Sequence, residues 1–202
     1  MVEKTKIGID MATIAVLTAP SQLLSISQQE LEQHLTPPLT IGQSQEGLLV
    51  SSQKDQIQVL AGGIKLNVRD LSGRKTFTRS KIPKILHYFI KTFGLQVNSY
   101  GVNFVINLPC EQSDKWISDN ILSTQVFKKT GKKLVGGAAT VKLVSEQKIW
   151  NVKFETYSDK KIKVDFNASQ NIQQLPNEKT LKIELQEQFN DLLKFLGSME
   201  LL

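Results

Sequence analysis

The chain has 202 residues, of which 40% are hydrophobic and 22% are charged, and its net charge is +6. This composition is ordinary for a globular protein and excludes a fully disordered or fibrous chain. The single cysteine excludes an internal disulfide and a cysteine-based metal cage, which indicates a reducing compartment. Residues 1–10 lack the apolar core of a signal peptide, and no apolar run approaches the roughly 20 residues that span a bilayer. We therefore expect a cytoplasmic protein with no membrane partner.

The basic residues are unevenly placed. All three arginines lie within residues 69–79, and residues 69–91 contain seven basic residues and one acidic residue. The excess of +6 in this segment equals the net charge of the whole chain. Such a charge suits a polyanionic partner, although solubility explains it equally well.

The first predicted element is a strand at residues 5–17, whose apolar positions change parity as a bulge near Ala12 would produce. Ser27 and Glu30 fit a capping box, which predicts a short helix over residues 28–34. The proline pair that follows ends this helix.

Three short strands are predicted next, at residues 48–51, 56–60 and 64–68, followed by a polar, basic loop at residues 71–78. A helix is predicted over residues 81–93. Its apolar side chains recur at spacings of three and four, which is typical of a helix packed on a sheet: Ile82, Ile85, Leu86, Phe89, Ile90 and Phe93.

The clearest strand of the sequence lies at residues 100–110. Apolar side chains occupy every second position: Tyr100, Val102, Phe104, Ile106 and Leu108. The alternate positions include Asn103 and Asn107, so one face of this central strand is core and the other is mostly polar.

The rest of the chain repeats this plan. A short helix is predicted at residues 113–123 with Ser113 as its cap, followed by an exposed basic turn at residues 128–133. Strands are predicted at residues 140–145, 149–157 and 161–167. A last helix over residues 178–199 carries one continuous apolar stripe: Leu181, Leu185, Phe189, Leu192, Leu196 and Met199.

The two halves have the same order of elements, which suggests a tandem duplication. Three pairs of strings align loosely, at Ile14 with Phe104, Leu49 with Leu143, and Ile64 with Ile162, at offsets of 90, 94 and 98. Chance matches in a β-rich chain are the alternative explanation. The predicted fold is α+β: an antiparallel sheet with two long helices on one face, built from halves 1–94 and 95–202 that share the sheet.

This order of strand, short helix, meander and long helix resembles that of the TATA-binding-protein saddle, which is also a tandem repeat. The resemblance covers most of the chain, but it is topological, and no residue-level motif of that family is present. It therefore implies a fold and assigns no functional residue.

No catalytic constellation is evident. His34 and His87 have no metal-ligand spacing around them, and Cys110 continues the inward parity of Leu108, which favours a buried structural thiol. Gly131-Lys132 lacks the rest of a phosphate-loop motif. We predict a protein that is not an enzyme and uses no cofactor and no metal.

The outward positions of the predicted strands are rich in Asn, Gln and Lys, including Gln56, Gln58, Lys65, Asn67, Asn151 and Asn167. Interaction with water alone is one explanation of this surface.

Our leading hypothesis is an interaction or scaffold protein that docks a protein partner or its own copy through the open polar face or an edge of the sheet. The alternative is a nucleic-acid-binding protein that uses the basic segment from Arg69 to Lys84 and the sheet face. The candidate docking residues are Arg69, Arg74, Lys75, Arg79, Lys81, Asn103, Asn107, Lys153 and Lys163. A pocket for an apolar ligand between sheet and helices is also left open.

Overall fold

The computed structural model describes residues 7–20, 26–121, 137–145, 148–158 and 160–199. The predicted basic turn at residues 128–133, with Gly131-Lys132, lies outside the described residues. In chain order the described elements are β1 (Gly8–Thr18), α1 (Gln28–Leu31), β2 (Leu39–Ser44), β3 (Gly47–Ser52), β4 (Ile57–Ala61), β5 (Lys65–Asp70), α2 (Ile82–Thr92), β6 (Val97–Pro109), α3 (Ser113–Asn120), β7 (Ala138–Ser145), β8 (Lys148–Ser158), β9 (Lys161–Asn171) and α4 (Glu178–Ser198).

The nine described strands form one antiparallel sheet in the order β2-β3-β4-β5-β1-β6-β9-β8-β7. The strands β1 and β6 are neighbours at its centre. The strands of the first half extend outward from β1, and those of the second half extend outward from β6. The predicted α+β class with an antiparallel sheet is confirmed.

The two long helices, α2 and α4, bury their apolar stripes on one face of this sheet, which we call the covered face. The buried helix residues are Ile82, Ile85, Leu86 and Phe89 of α2 and Leu181, Leu185, Phe189, Leu192 and Leu196 of α4. Phe77 and Phe104 lie against Phe189, with ring centroids 5.7 and 5.4 Å from it. None of the described helices is long and apolar enough to cross a membrane.

A polar network fixes α4 to the sheet within this core. The Tyr100 hydroxyl donates to Glu184 and accepts from Gln170, and Lys148 Nζ lies 2.9 Å from Glu184 Oε1. Burial, together with the hydrogen bond to Glu184, raises the pKa of Tyr100 above its ordinary value. Tyr100 therefore stays neutral, and its hydroxyl links β6 and β9 to the helix.

Most predicted elements are present, but several details differ. The Ser27–Glu30 capping box is formed, yet α1 ends at Leu31. The parity change in β1 arises from a bulge near Ala12, as predicted: the pairing with β6 shifts between Ile9 and Met11. The prediction of Ser113 as a helix cap is wrong, because its buried hydroxyl donates to the Ser158 carbonyl at 2.5 Å and Gln112 is the N-cap.

The sequence does not predict the edge strand β2. Its six residues are mostly exposed and lack a clear alternation of apolar side chains. It pairs with β3 through the turn before Gly47, which has a φ of +126°. A Cβ at Gly47 would lie 2.1 Å from the Ala61 carbonyl oxygen, so a glycine is required for this hairpin to lie on β4.

Candidate docking surface on the open face

The face of the sheet opposite the helices carries the polar side chains of the strands, and we call it the open face. In β6, Phe104 and Ile106 point into the core, whereas Asn103, Val105 and Asn107 lie on the open face. Because side chains alternate along a strand, the same pattern that builds the core sets the residues of the open face.

One residue from each strand forms a continuous line across the open face, which we call the polar row. Its members, paired one to the next across the sheet, are Thr40, Ser51, Gln58, Arg69, Thr13, Asn103, Asn167, Asn151 and Lys142. Every member is polar. With about 4.8 Å between neighbouring strands, the row is roughly 40 Å long.

Hydrogen bonds join neighbouring members of the polar row. Arg69 Nη1 donates to Gln58 Oε1 at 2.9 Å, and Asn167 Nδ2 donates to Asn103 Oδ1. Thr13, between Arg69 and Asn103, is only 4% exposed, and its Oγ1 has no hydrogen-bond partner among the described residues. These two hydrogen bonds hold the side chains on either side of Thr13 in place, and the Thr13 hydroxyl between them has no partner among the described residues.

The middle of the polar row lies in an open trough of about 470 Å³. Its polar lining comes from six strands: Thr13, Lys65, Asn67, Arg69, Asn103, Thr140, Asn151, Lys153, Asp165 and Asn167. Asn67 is buried to 5% exposure although it is on the open face. The trough thus combines four amide and two hydroxyl side chains with three cations and one carboxylate.

The charges on the open face are only partly paired. Lys153 Nζ lies 2.9 Å from Glu155, and the hydrogen bond between them raises the pKa of Lys153 and lowers that of Glu155. Lys65, Arg69 and Lys142 form no ion pair with a carboxylate among the described residues. These three cations give the face a modest positive character.

Five of the candidate docking residues lie on the open face. Arg69, Asn103 and Lys153 line the trough. Asn107 and Lys163 are paired across β6 and β9 beyond it. Asn107 Nδ2 donates to an Asp10 carboxylate oxygen at 2.6 Å, and Lys163 Nζ lies 3.7 Å from Asp165.

The other four candidate residues lie on the segment between β5 and α2, which packs on the covered side. Phe77 of this segment is fully buried against α4, and its N–H donates to Gln186. Arg74 Nε is 2.8 Å from the buried Asp70 carboxylate, and Lys81 Nζ is 2.7 Å from Asp55. The remaining two, Lys75 and Arg79, are exposed. The basic segment is therefore divided, with Arg69 alone on the open face.

The sequence does not single out Thr13, Ser51 or Lys142 as members of a surface. The row runs across the strands, so it becomes visible only when the strand order and every register are known. Gln56, predicted as an outward strand residue, lies instead in the turn before β4 with a φ of +53°.

The histidines and the cysteine lie outside the trough. The His34 ring stacks on Tyr88 with centroids 3.8 Å apart, and burial, with Lys84 nearby, lowers the pKa of His34. His87 Nε2 lies 2.9 Å from the Pro176 carbonyl oxygen. Cys110 is half-buried, and burial raises the pKa of its thiol. In the described part of the chain, no group of three or more His, Cys, Asp or Glu side chains could hold a metal ion.

A second open depression, of about 570 Å³, lies beside the end of α2 and the start of β6. His87, Gln96, Asn98, Gln173 and Gln174 supply its polar groups. Its lining among the described residues includes no Asp, Glu, Lys or Arg. It has neither the row of aligned groups nor the charges of the trough.

Comparison with known proteins adds no family to this description: no protein-family model matches the chain, and no curated protein is significantly similar to it in sequence.

Proposed function

We propose that this protein is a non-enzymatic docking protein that binds a segment of another protein across the open face of its sheet. The polar row carries the proposal. A line of aligned donors and acceptors about 40 Å long suits an extended partner better than a small molecule.

The choice of residues in the row supports binding over interaction with water alone. Asn103, Asn167 and Asn151 occupy three adjacent strands, although asparagine is depleted in β-strands. A face that only contacts water could carry Thr or Lys instead, and both fit a β-strand better than asparagine does. Residues with a low propensity for the element in which they lie are expected where a surface has a function.

The charges favour a protein partner. Asp10, Glu155 and Asp165 lie on the same face as the lysines and would repel phosphate groups. A peptide backbone offers the N–H and C=O groups that asparagine and threonine side chains pair with. An extended peptide can therefore bind across the row through hydrogen bonds with little net charge.

Nucleic acid is the second candidate partner, and one observation favours it. Lys65, Arg69 and Lys142 have no carboxylate partner among the described residues, so three positive charges are available to a phosphate backbone.

Site-specific photo-crosslinking in the cells that naturally contain the protein tests the docking surface. A photoreactive amino acid replaces Asn151 in the trough, and a matched variant replaces the exposed Ile183 on α4. We expect a discrete protein adduct from position 151 that is absent from position 183. The same adducts from both positions, or none from position 151, would contradict the proposal.

Fluorescence anisotropy with labelled single-stranded and duplex DNA and RNA at low salt separates the two candidates. The protein-docking proposal predicts no specific binding. Salt-dependent binding that Arg69→Ala abolishes and Arg79→Ala preserves would replace it with the nucleic-acid function, because only Arg69 lies on the open face.

We also propose that the two halves arose by tandem duplication and share the topology of the TATA-binding-protein saddle. A two-fold axis placed between the paired residues Thr13 and Asn103 would relate positions 90 residues apart, which is the offset of the first string pair. Their outer neighbours Arg69 and Asn167 are 98 apart, the offset of the third pair. The second string pair, at Leu49 and Leu143, does not follow this symmetry, because the row positions of β3 and β7 are 91 apart.

Superposition in a high-resolution crystal structure tests the duplication. We expect residues 5–93 and 97–199 to superpose about the Thr13–Asn103 axis, with β1, β3, β4 and β5 on β6, β7, β8 and β9, and with β2 having no counterpart among the described strands. Halves that match only in their element order would contradict the duplication.

A further inference from the structure

The strand β2 is one edge of the sheet, and among the described residues its outer backbone groups have no strand to pair with. All six of its residues pair with β3 without a register shift, and no other described strand pairs with β2. At such an edge, alternate residues turn their N–H and C=O groups away from the sheet. These groups can accept another antiparallel strand.

The sequence of β2 lacks the usual protection of an edge strand. Natural edges carry charges, prolines or bulges that prevent pairing. The strand β2, LTIGQS, has no charged residue and no proline, and its register is regular. The opposite edge, β7, carries Lys142 within the polar row. Of the two edges, β2 is therefore the one that favours pairing.

We propose that β2 pairs antiparallel with β2 of a second copy of this chain, so that two nine-stranded sheets join edge to edge. An uncharged strand can face its own copy without repulsion, whereas a β7–β7 contact would bring two copies of Lys142 into one interface. The contact is isologous, so it closes as a dimer and does not grow into a filament.

The side-chain parity of β2 restricts the register of this pairing. Leu39, Ile41 and Gln43 lie on the side of the buried Val50, and a shift by one residue would move them to the other face. Two registers of the antiparallel β2–β2 pair keep this parity and pair five residues of each copy. In one the two-fold axis passes through Ile41, and in the other it passes through Gly42. Centring on Ile41 brings together two isoleucines that are each 38% exposed, which buries apolar surface.

The dimer is weak, because a six-residue strand buries far less than the roughly 1,600 Å² of a standard interface. Pro37 and Pro38, which precede β2, cannot donate to a neighbouring strand and so limit the pairing to β2 itself. We expect a dissociation constant in the micromolar range or above.

Sedimentation velocity over a wide range of protein concentration tests the dimer. We expect the wild type to pass from monomer to dimer as concentration rises, Ile41→Lys to stay monomeric, and the matched variant Val144→Lys on β7 to dimerise like the wild type. A wild type that is monomeric at all concentrations would overturn the proposal. So would an Ile41→Lys variant that dimerises, or a Val144→Lys variant that does not.

A crosslinking experiment keeps the proposal testable if Ile41→Lys does not fold. In a Cys110→Ser background, Ile41→Cys and Val144→Cys each supply one exposed thiol. A short bismaleimide should link two Ile41→Cys chains covalently and leave Val144→Cys chains single. Equal crosslinking of both variants would contradict pairing through β2. This result is independent of what binds the open face.

Discussion

The two faces of the sheet are built from the same strands and differ in almost every other respect. In β6, Phe104 is fully buried against Phe77 and Phe189, while its neighbour Asn103 reaches the trough and bonds to Asn167. The covered face holds the apolar area whose burial stabilises the fold. Because that face supplies the stability, the residues of the open face are free to serve binding.

Replacing the two neighbours in β6 should give opposite results, and this is the largest effect we predict. Phe104→Ala removes a ring from the closely packed core and should lower the free energy of unfolding by about 3–5 kcal/mol. Asn103→Ala loses one hydrogen bond on the open face and should cost about 1 kcal/mol or less. Urea denaturation of both variants measures the difference. Equal losses of unfolding free energy would mean that side chains of the open face also stabilise the fold.

Replacing one arginine on each face also compares the two faces, with a smaller expected change in stability. Arg74→Ala leaves the Asp70 carboxylate, which is 1% exposed, without its ion pair and should cost about 3 kcal/mol. Arg69→Ala should change stability by about 0.5 kcal/mol or less and should weaken binding of the partner instead. The double variant Asp70→Asn/Arg74→Ala is the control, because it removes the unpaired charge and should recover part of the loss.

The smallest predicted effect is a pH dependence on the covered side. Burial raises the pKa of Asp55, but hydrogen bonds from Lys81 and from the Thr36 N–H and hydroxyl lower it by more, so the net shift is downward. A lowered pKa stabilises the fold at pH values above the ordinary aspartate pKa of about 4, and this stability is lost as pH falls through the folded-state value.

Asp55→Asn removes this titration. At neutral pH it should cost about 1 kcal/mol, since the exposed Lys81 is screened by solvent. Thermal unfolding of both proteins from neutral pH to about pH 3 should show a steeper loss for the wild type. Parallel curves would show that Asp55 contributes nothing to the acid sensitivity.

The covered face is well predicted from sequence, because the physics that builds it is periodic. The apolar stripe of α4 and the alternation in β6 each indicate an element and its buried side, and both are confirmed. The strand β2 is missed because an exposed edge strand needs no apolar alternation. Ser113 has the residue type of a cap, but a tertiary contact with Ser158 uses its hydroxyl.

The open face is only half predictable. The alternation identifies outward residues such as Asn103 and Asn167 one strand at a time. Their alignment depends on nine strands and eight registers, and pairing between distant segments leaves no local signal. For the same reason the sequence predicts a single basic patch, although Arg69 and Arg74 lie on different sides of the sheet.

Calorimetric titration of the protein captured at position 151 tests the docking surface most directly. Asn103→Asp keeps the shape of the side chain and its acceptor for Asn167, but it places a negative charge in the trough. Lys179→Gln, at an exposed position on α4, changes the net charge equally. We predict that Asn103→Asp weakens binding about tenfold or more and that Lys179→Gln leaves it unchanged. Equal affinities of the two variants would contradict docking on the open face.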